Sequence, residues 1–382
     1  MQTSYALDTA ILIPAYQPDQ KLSPYVDALL AARFGKIVVV DDGSGNGFKA
    51  VFDGLPDNPA LHVIHYTPNR GKGMALRTGL CYLQDECPEI QYIVTADSDG
   101  QHTVEDTLRM AQRLHEDAEG VLLGSRDFSQ PNVPKKSRYG NRLTSVVFCL
   151  LYGKWVGDTQ TGLRGFSRAL LPRMIAVKGD RYEYEMNVLI DCALAKVPIR
   201  SLTIATVYEN NNEGSHFRPF RDGMRIYRVI FSGFFRFISS SLISFGVDYA
   251  LFLLLNGLFK SYVPGLDFQF RFLVFQVLAR VGLATALARI VSGLVNFYLN
   301  KRIVFEDQTS AKKTLPRYLC VFVLMLILSS VFTSNAHTLL GMRESRAKII
   351  VDLVLFFVSY FLQRKWVFVR KPQLKGSESA KS

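Results

Sequence analysis

Two runs of polar residues, each placed after an apolar segment of strand-like character, contain paired carboxylates. The run IVVVDDGSGNG (residues 37–47) holds Asp41 and Asp42, and IVTADSDGQH (residues 93–102) holds Asp97 and Asp99. A hard divalent cation binds such carboxylate oxygens and usually takes one or two of them together with substrate phosphates. A single Asp-x-Asp also arises by chance and can cap a helix. Two carboxylate-ended segments favour a site for a metal ion and phosphates.

These residues belong to a region in which short apolar segments alternate with helical patterns and turn clusters. The predicted strands include residues 10–14, 36–40, 61–64 and 90–95. Such alternation is typical of an α/β domain with a largely parallel sheet. Both carboxylate runs would then lie at the carboxyl ends of strands, where open α/β sheets bind ligands.

The second half of the chain has a different, membrane-like pattern. The 382 residues are 48% hydrophobic, and four apolar spans cover residues 235–259, 281–299, 318–340 and 349–368. Each is close to the ~20 residues that a helix needs to cross a bilayer. The apolar residues 272–278, which Arg280 separates from the second span, fit an extension of that helix.

The charges predict how these spans are oriented. Lys and Arg outnumber Asp and Glu by 45 to 33, giving a net charge of +12. The cations concentrate at membrane edges, which argues against a nucleic-acid partner and predicts that the α/β domain and both termini are cytoplasmic. These cations fall in two groups: Lys301, Arg302, Lys312, Lys313 and Arg317, then Arg364, Lys365, Arg370, Lys371 and Lys375.

Two other features of the sequence concern targeting and cysteine chemistry. The start of the chain shows no signal-peptide pattern, and the five scattered cysteines indicate neither disulfides nor a zinc site.

Residues 215–232 link the two parts and carry arginines at helical spacing beside an apolar stripe. This pattern predicts an interfacial amphipathic helix, with a soluble helix that has a solvated arginine face as the alternative.

The membrane part contains an internal repeat. NFYLNKRIVF (residues 296–305) matches SYFLQRKWVF (residues 359–368) position by position, so the second and fourth spans look like copies. In this register Arg289 aligns with Asp352. We expect either an intramembrane ion pair between them or two side chains that reach an interface or a wet cleft.

Six motifs in order resemble the family 2 glycosyltransferases of the dolichol-phosphate mannose synthase or polyprenyl-phosphate glucosyltransferase type. They are PAY (14–16), VVDDGS (39–44), NRGKGMALRTG (69–79), ADSDGQH (96–102), GSR (124–126) and DTQTGLRGF (158–166). The membrane spans resemble the GtrA-like four-helix domain. The resemblance implies a cytosolic GT-A (Rossmann-like) α/β domain over residues 1–214, the linker 215–232, an all-α four-helix transmembrane domain over 233–371 and a cytosolic tail, 372–382.

The resemblance also implies roles for particular residues. Asp99, Asp158 and Arg126 are the candidate catalytic residues, and Asp158 is the family's candidate base, although positioning of the acceptor or of sugar hydroxyls is favoured. Asp97 and Asp99 would hold Mg²⁺ or Mn²⁺. The candidate substrate-binding residues are Pro14, Tyr16, Val40, Asp42, Asp97, Ser98, Gln101, Arg142, His216 and Arg218. For Arg70 and Lys72 close packing of the glycine-rich turn is favoured over phosphate contact, and for Glu183 and Glu185 a structural salt bridge is as well supported as a role in the site.

The implied activity is transfer of a hexose from a UDP- or GDP-sugar to polyprenyl (undecaprenyl) phosphate with inversion. A phosphate monoester with a second pKa near ~6 is already anionic at cytosolic pH, so a strong base is not required. The partners would be the nucleotide sugar, the polyprenyl phosphate and the bilayer, with homo-oligomerisation left open. The alternative is a transporter of lipid-linked sugar whose α/β domain only binds. A processive synthase is disfavoured because its Q-x-x-R-W motif is absent.

Overall fold

The computed structural model describes residues 4–130, 133–205, 219–272, 275–340 and 344–368. The chain divides into two compact units, residues 1–230 and 231–382, here called the N-terminal and C-terminal units.

A seven-stranded sheet forms the centre of the N-terminal unit. Its strand order is β3-β2-β1-β4-β6-β5-β7, and every neighbouring pair is parallel except those that β6 makes with β4 and β5. All seven residues of β1 are buried, as expected for a central strand covered on both faces. The predicted α/β architecture is thus confirmed. The strands are β1 (Thr9–Ala15), β2 (Lys36–Asp42), β3 (Leu61–Tyr66), β4 (Tyr92–Thr95), β5 (Val121–Arg126), β6 (Arg164–Ser167) and β7 (Ile199–Ile204).

Nine helices flank this sheet within the described part of the unit. They are α1 (Ser4–Leu7), α2 (Leu22–Ala31), α3 (Lys49–Asp53), α4 (Lys72–Glu86), α5 (Val104–Glu116), α6 (Lys135–Tyr152), α7 (Leu171–Ala176), α8 (Glu183–Ala195) and α9 (Pro219–Ile230). Helix α9 lies inside the predicted linker and confirms its helical character. Helix α5 begins at a fixed point because the Asp106 N–H donates to the side chain of Thr103, the N-cap, at 3.1 Å. This cap anchors the chain just after the Asp97-Ser98-Asp99 loop.

Four long helices form the C-terminal unit. They are α10 (Ser232–Tyr262), α11 (Ala279–Leu299), α12 (Ala311–Leu340) and α13 (Glu344–Leu362), and each contains most or all of one predicted span. Within the described residues, the segments Ser232–Tyr262 and Ala279–Val304 are long and apolar enough to cross a bilayer.

The longer second span that the sequence allows is not formed, because α11 begins at Ala279. A two-stranded antiparallel hairpin of β8 (Gln269–Phe272) and β9 (Phe275–Leu278) precedes the helix instead. The sequence QFRF alternates polar and apolar side chains with the period of two that a strand requires. Arg280, the second residue of α11, pairs with Asp267 at 2.7 Å.

The repeat seen in the sequence is a structural repeat. Helices α11 and α13 both continue into a π-helical turn, at Asn300–Val304 and Gln363–Val367. Asn300 and Gln363, the first residues of these turns, are equivalent in the repeat. They contact each other, since the Asn300 side-chain amide donates to Gln363 Oε1 at 3.0 Å. Phe305 and Phe368, also equivalent, stack with ring centroids 5.2 Å apart.

The repeat extends to the other two helices, which correspond with an offset of 81 residues. Arg236 on α10 donates to the carbonyl of Ile303 at 3.2 Å, and Arg317 on α12 donates to that of Trp366 at 3.4 Å. Residues 303 and 366 are themselves equivalent in the 296–305 and 359–368 copies. The unit is therefore built from two related helix pairs, α10–α11 and α12–α13.

An ion pair between Arg289 and Asp352 is not formed. Arg289 Nη2 lies 3.2 Å from Asp248 Oδ2 on α10, whereas Asp352 accepts from Ser329 Oγ on α12 at 2.6 Å. The reason is the repeat itself. Asp248 corresponds to Ser329 as Arg289 corresponds to Asp352, so each side chain contacts the partner helix of its own pair.

Candidate active site

The ends of β1 and β2 bring the first two motifs together. Pro14 on β1 stands opposite Val40 on β2 in parallel register, and both are buried. The Gln17 N–H donates to Ser44 Oγ at 2.8 Å, which ties the loop after Tyr16 to the turn after β2. Three of the predicted donor-binding residues, Pro14, Tyr16 and Val40, thus lie on neighbouring strand ends, and their contact with the donor stays a prediction.

Asp42 is the anchor of the glycine-rich turn that follows β3. Its carboxylate oxygens accept from the Tyr66 hydroxyl at 2.8 Å, from the Asn69 side chain at 2.9 Å and from the backbone N–H groups of Arg70 and Gly71 at 2.8 Å each. Asp42 is also almost fully buried. This geometry gives Asp42 a structural role, and a direct contact with the donor ribose stays a prediction.

Two glycines let this turn approach the chain before α8. Gly71 has a φ of +104°, a value that favours glycine, and a Cβ there would lie 2.5 Å from the carbonyl oxygen of Asp180. A Cβ on Gly73 would lie 2.5 Å from Cβ of Tyr184. The close-packing interpretation of this motif therefore agrees with the structure.

Lys72, which lies between the two glycines, reaches into the site. Its Nζ lies 2.6 Å from Asp97 Oδ1 and 3.0 Å from Glu185 Oε1, and its side chain is only 17% exposed. Burial acts to lower the pKa of this ammonium, but the two carboxylates raise it well above its usual value. Lys72 thus stays charged and joins the second carboxylate motif to α8.

Asp97 and Asp99, the predicted metal ligands, have different surroundings. Burial acts to raise the pKa of Asp97, but Lys72 and His102 hold it well below its usual range. The pKa of Asp99 is raised by burial and by the negative charge of Asp97. Asp99 Oδ1 accepts from the Gln101 N–H at 3.0 Å. The residue with the less compensated charge is therefore Asp99.

His102 adds a buried, unsatisfied group beside this pair. It is 7% exposed, and its ring nitrogens find no hydrogen-bond partner among the described residues. Its Nε2 lies 3.6 Å from Asp97 Oδ2. The two carboxylates offer oxygen ligands of the kind that a divalent cation combines with phosphates. Among the described residues no cluster of three or more His, Cys, Asp or Glu side chains surrounds one point, so substrate oxygens would complete such a site.

Asp158 and Arg126, two of the predicted catalytic residues, are partners. Arg126 Nε donates to Asp158 Oδ2 at 2.8 Å and its Nη2 to Oδ1 at 3.2 Å. The Gln160 N–H also donates to Oδ1, at 3.1 Å, and the Asp158 side chain is fully buried. A carboxylate occupied in this way is poorly placed to take a proton from substrate. The structure favours Asp158 as a residue that positions Arg126 over the role of base.

Asn141 on α6 fixes the loop that carries Asp158. Its side chain donates to the carbonyl of Gly157 at 2.6 Å and accepts from the Thr159 N–H at 3.1 Å. The neighbouring Arg142 is exposed on the same helix, where a phosphate can reach it. His216 and Arg218 lie outside the described residues.

Gly162 connects the Asp158 loop to the carboxylate motif. Its carbonyl accepts from Thr95 Oγ1 at 2.8 Å, and a Cβ on Gly162 would lie 2.2 Å from Asp97 Oδ2. The carboxylate of Asp97 therefore rests against the backbone of the DTQTG motif. This contact joins the Asp97 and Asp99 carboxylates and the loop whose Asp158 binds Arg126 into a single site. Ser98 and Gln101 belong to the same β4–α5 loop as the two aspartates.

Three residues of this site differ in how far the sequence patterns indicate their roles. Lys72, for which the sequence favours close packing, pairs with Asp97, and Glu185 pairs with Lys72, as the structural salt-bridge expectation has it. The sequence patterns do not indicate Asn141. Arg164, also buried, donates to the carbonyl of Glu185 at 2.7 Å. Only the strictly ordered motifs could have indicated them, because each of these contacts joins distant parts of the chain.

Comparison with known proteins identifies a family for each of the two parts of the chain. Residues 10–174 match the family described as glycosyl transferase family 2, and residues 236–368 match the GtrA/DPMS transmembrane domain. The chain is 30% identical over 216 residues to the UDP-N-acetylglucosamine–dolichyl-phosphate N-acetylglucosaminyltransferase of Methanococcus voltae, covering 52% of this chain and 85% of that protein.

Two further proteins are similar over smaller shares or at lower identity. The undecaprenyl-phosphate 4-deoxy-4-formamido-L-arabinose transferase of Yersinia pestis is 26% identical over 175 residues, or 44% of this chain and 50% of that protein. The crystal structure of glucosyl-3-phosphoglycerate synthase from Mycobacterium tuberculosis with Mn²⁺, UDP and glucosyl-3-phosphoglycerate covers 61% of this chain and 83% of that chain, at 15% identity and a TM-score of 0.44.

The two family matches fall on the two parts of the chain that the sequence distinguishes. The predicted fold class, a GT-A α/β domain followed by a helical membrane domain, is confirmed by the sheet, the four long helices and these matches. The chain belongs to glycosyl transferase family 2 and carries a GtrA/DPMS transmembrane domain, so it is a membrane glycosyltransferase.

Proposed function

We propose that this protein transfers a hexose from a UDP- or GDP-sugar to polyprenyl phosphate, with inversion at the anomeric carbon. The names of the relatives from Methanococcus voltae and Yersinia pestis describe transfer to dolichyl or undecaprenyl phosphate. The observation that carries the proposal is the contact between the Asp97 carboxylate and Gly162. The Asp97 side chain thus lies against the loop whose Asp158 pairs with Arg126, and this proximity supports a shared site for a nucleotide diphosphate and an arginine.

The residues of the site suit a direct displacement by an anionic acceptor. The acceptor phosphate oxygen is already deprotonated at cytosolic pH, because the second pKa of such a monoester is about 6. It can therefore attack the anomeric carbon without a general base. Asp158 holds one edge of the Arg126 guanidinium, which fixes the orientation of the cation. Arg126 and the exposed Arg142 then draw the acceptor and donor phosphates together against their mutual repulsion.

Asp97 and Asp99 would hold Mg²⁺ or Mn²⁺ together with the donor diphosphate. When bound, the cation supplies positive charge that stabilises the departing nucleoside diphosphate. Lys72 keeps Asp97 ionised and fixed in place, while Asp99 presents the second carboxylate. His102 and Gln101 border this position.

An apolar face on α6 supports an acceptor that comes from the bilayer. Tyr139, Leu143, Val146 and Leu150 recur at helical spacing and are all exposed, and Leu143 directly follows Arg142. A phosphate-binding arginine beside an exposed apolar stripe suits a prenyl phosphate whose chain stays in lipid. We propose further that the C-terminal unit crosses the membrane four times, with the catalytic domain and both termini in the cytoplasm.

The test is transferase activity of the purified full-length protein in detergent. Undecaprenyl phosphate, Mg²⁺ or Mn²⁺ and a panel of UDP- and GDP-sugars are supplied, and lipid-linked product is scored. We expect product from one donor, and its loss in Asp99→Asn. Asp53→Asn, which changes an exposed aspartate on α3, is the matched control and retains activity. Absence of product from every donor, with nucleotide binding intact, would overturn the transferase and favour a binding domain of a lipid-sugar transporter.

A further inference from the structure

The loop after β1 (residues 16–21), here called the Tyr16 loop, borders the crevice at which the sheet changes direction. Strands β1, β2 and β3 follow one another outward, and the chain then returns to place β4 on the other side of β1. Open α/β sheets bind ligands outside the carboxyl ends of the strands at such a point. Neighbouring strands lie ~4.8 Å apart, so the ends of β2 and β4 are roughly 10 Å apart. A nucleoside can therefore lie across β1 and β2 while its diphosphate reaches Asp97 and Asp99.

Gln17 in this loop has an unfavourable backbone conformation. Its φ is +49°, in the left-handed region that residues with a Cβ rarely adopt. Such conformations persist only where the surroundings hold them, and they cluster at functional sites. The Gln17 N–H donates to Ser44 Oγ at 2.8 Å. The shape of the Tyr16 loop thus depends on the position of Ser44, in the turn after β2.

Ser44 is in turn held by Asp41, at the end of β2. The Ser44 N–H donates to Asp41 Oδ1 at 2.9 Å, which closes the turn. The Asp41 side chain is 13% exposed, and its second oxygen, Oδ2, lies 3.0 Å from His65 Nδ1. Because a carboxylate oxygen accepts, the ring nitrogen carries the hydrogen and His65 donates. Both oxygens of Asp41 are therefore oriented by protein groups.

His65 is placed for this contact by β3 and by an aromatic ring. It stands opposite Asp41 in the parallel register of β2 and β3, so the two side chains share one face of the sheet. Its ring makes a T-shaped contact with Phe52 of α3, with centroids 5.3 Å apart. The His65 side chain is 55% exposed, and an ion pair with so exposed a partner contributes little to folding. The effect of His65 is therefore on the orientation of Asp41.

We propose that His65 is a positioning residue for the nucleoside part of the sugar donor. Three hydrogen bonds in series join His65 to Asp41, Asp41 to Ser44 and Ser44 to Gln17, and they hold the Tyr16 loop against the strain at Gln17. Loss of the first bond frees the Asp41 carboxylate to rotate, and the loop moves out of the conformation that contacts the base and ribose. The diphosphate, at the end of β4, keeps its contacts. The identity of the ligand as a nucleotide sugar rests on the proposed function, whereas the series of hydrogen bonds does not.

The test compares nucleotide and pyrophosphate binding by the purified full-length protein in detergent, with Mn²⁺, by isothermal titration calorimetry. UDP and GDP are the nucleotide probes, and inorganic pyrophosphate represents the diphosphate part alone. In His65→Leu we expect the Kd of the preferred nucleotide to rise at least tenfold and that of pyrophosphate to change less than about twofold. His65→Asn, whose side-chain amide can donate to Asp41 in place of Nδ1, should restore most of the affinity. Unchanged nucleotide affinity in His65→Leu, equal losses for both ligands or no recovery in His65→Asn would overturn the proposal.

The matched control is His62→Leu on the same strand. His62 lies three residues from His65, on the opposite face of the sheet, and stacks on Tyr82 of α4. We expect this variant to bind nucleotide as the wild type does.

Ser44→Ala tests the next step of the series and replaces His65→Leu if that variant fails to fold. It removes the oxygen that accepts from Gln17, so nucleotide affinity should fall while pyrophosphate affinity is kept. The double variant His65→Leu with Ser44→Ala should bind no more weakly than the weaker single variant, because both changes break one series. Additive losses would show that the two residues act independently and would overturn the proposal.

The two proposals fail separately. In transfer assays His65→Leu should raise the donor KM and leave kcat close to that of the wild type. A wild-type protein that transfers no sugar, while its nucleotide affinity depends on His65, would refute the transferase alone. A protein that transfers sugar with the same donor KM in His65→Leu and His62→Leu would refute the positioning role of His65 alone.

Discussion

Lys72 Nζ lies 2.6 Å from Asp97 Oδ1, so the lysine of the glycine-rich motif neutralises the first aspartate of the DSD motif. The same ammonium contacts Glu185 on α8 at 3.0 Å. Three segments that are far apart in the chain therefore meet through one charge. The two aspartates of the motif differ as a result, since Asp97 is compensated by protein and Asp99 is left for a ligand.

Replacing Lys72 with methionine should destabilise the N-terminal unit and abolish transfer. The change leaves the buried Glu185 and the half-buried Asp97 without their cation, and loss of one partner of a buried pair costs about 3–5 kcal/mol. Thermal unfolding of the purified protein measures the effect. The double variant Lys72→Met with Glu185→Gln removes one of the two stranded charges and should recover part of the lost stability. If it is no more stable than the single variant, the pairing with Glu185 does not matter energetically.

Gly162→Ala should lower activity by displacing Asp97. The new Cβ would lie 2.2 Å from Asp97 Oδ2, so the carboxylate has to move from the place where Lys72 holds it. We expect kcat/KM for the donor to fall at least tenfold, with a smaller effect on folding, because the displaced group is a side-chain end. Gly140→Ala on α6 is the control, since a Cβ there meets no atom within 4 Å. Equal activity of the two variants would show that the contact is not needed.

The bidentate pair of Arg126 and Asp158 predicts that activity depends on the shape of the side chain at position 126 as well as on its charge. Arg126→Lys keeps the charge but cannot donate to both oxygens of Asp158 in the same plane. We expect kcat to fall by about 10- to 100-fold, which corresponds to about 1.4–2.7 kcal/mol of transition-state stabilisation. Asp158→Asn should cause a loss of similar size because it misorients the guanidinium.

The pH profile distinguishes this role from that of a base. If Asp158 only positions Arg126, Asp158→Asn lowers kcat by a constant factor across the pH range. An Asp158 that accepts a proton in the reaction would instead give a variant whose rate rises with hydroxide concentration, and that result would contradict the positioning role.

Periodicity and motif order were enough to predict the architecture and most of the site. The parallel strands appear in the sequence as apolar runs. The first three spans fall within α10, α11 and α12, and the fourth covers most of α13, the π-helical turn that follows it and Phe368. The antiparallel strand β6 was not predicted, because its sequence RGFS lies inside a motif and shows no alternation. The contacts of Lys72 with Asp97 and of Asn141 with Gly157 depend on how distant loops meet, which no local pattern contains.

The repeat shows the same limit in the membrane part. Sequence similarity between residues 296–305 and 359–368 correctly identified two related helices. It did not give their partners, so Arg289 was matched with Asp352 when it contacts Asp248. Recognition that α10 and α12 are also copies would have predicted the observed pairs.

The raised pKa of Asp99 predicts that activity falls at low pH. It also predicts that the pH at which this fall occurs, the acid limb, depends on the metal concentration. Burial and the neighbouring charge of Asp97 raise this pKa, so Asp99 takes up a proton at a higher pH than an exposed aspartate does. A protonated carboxyl is a poor ligand, and donor affinity should therefore fall as the pH falls through the raised pKa. Because Mn²⁺ and the proton compete for the same oxygens, a tenfold higher Mn²⁺ concentration should shift the acid limb to lower pH. Donor KM measured against pH at two Mn²⁺ concentrations tests this expectation, and Asp99→Asn, which cannot titrate, should lose the shift. An acid limb that stays in place as Mn²⁺ increases would show that proton uptake occurs elsewhere than at the metal-binding carboxylate.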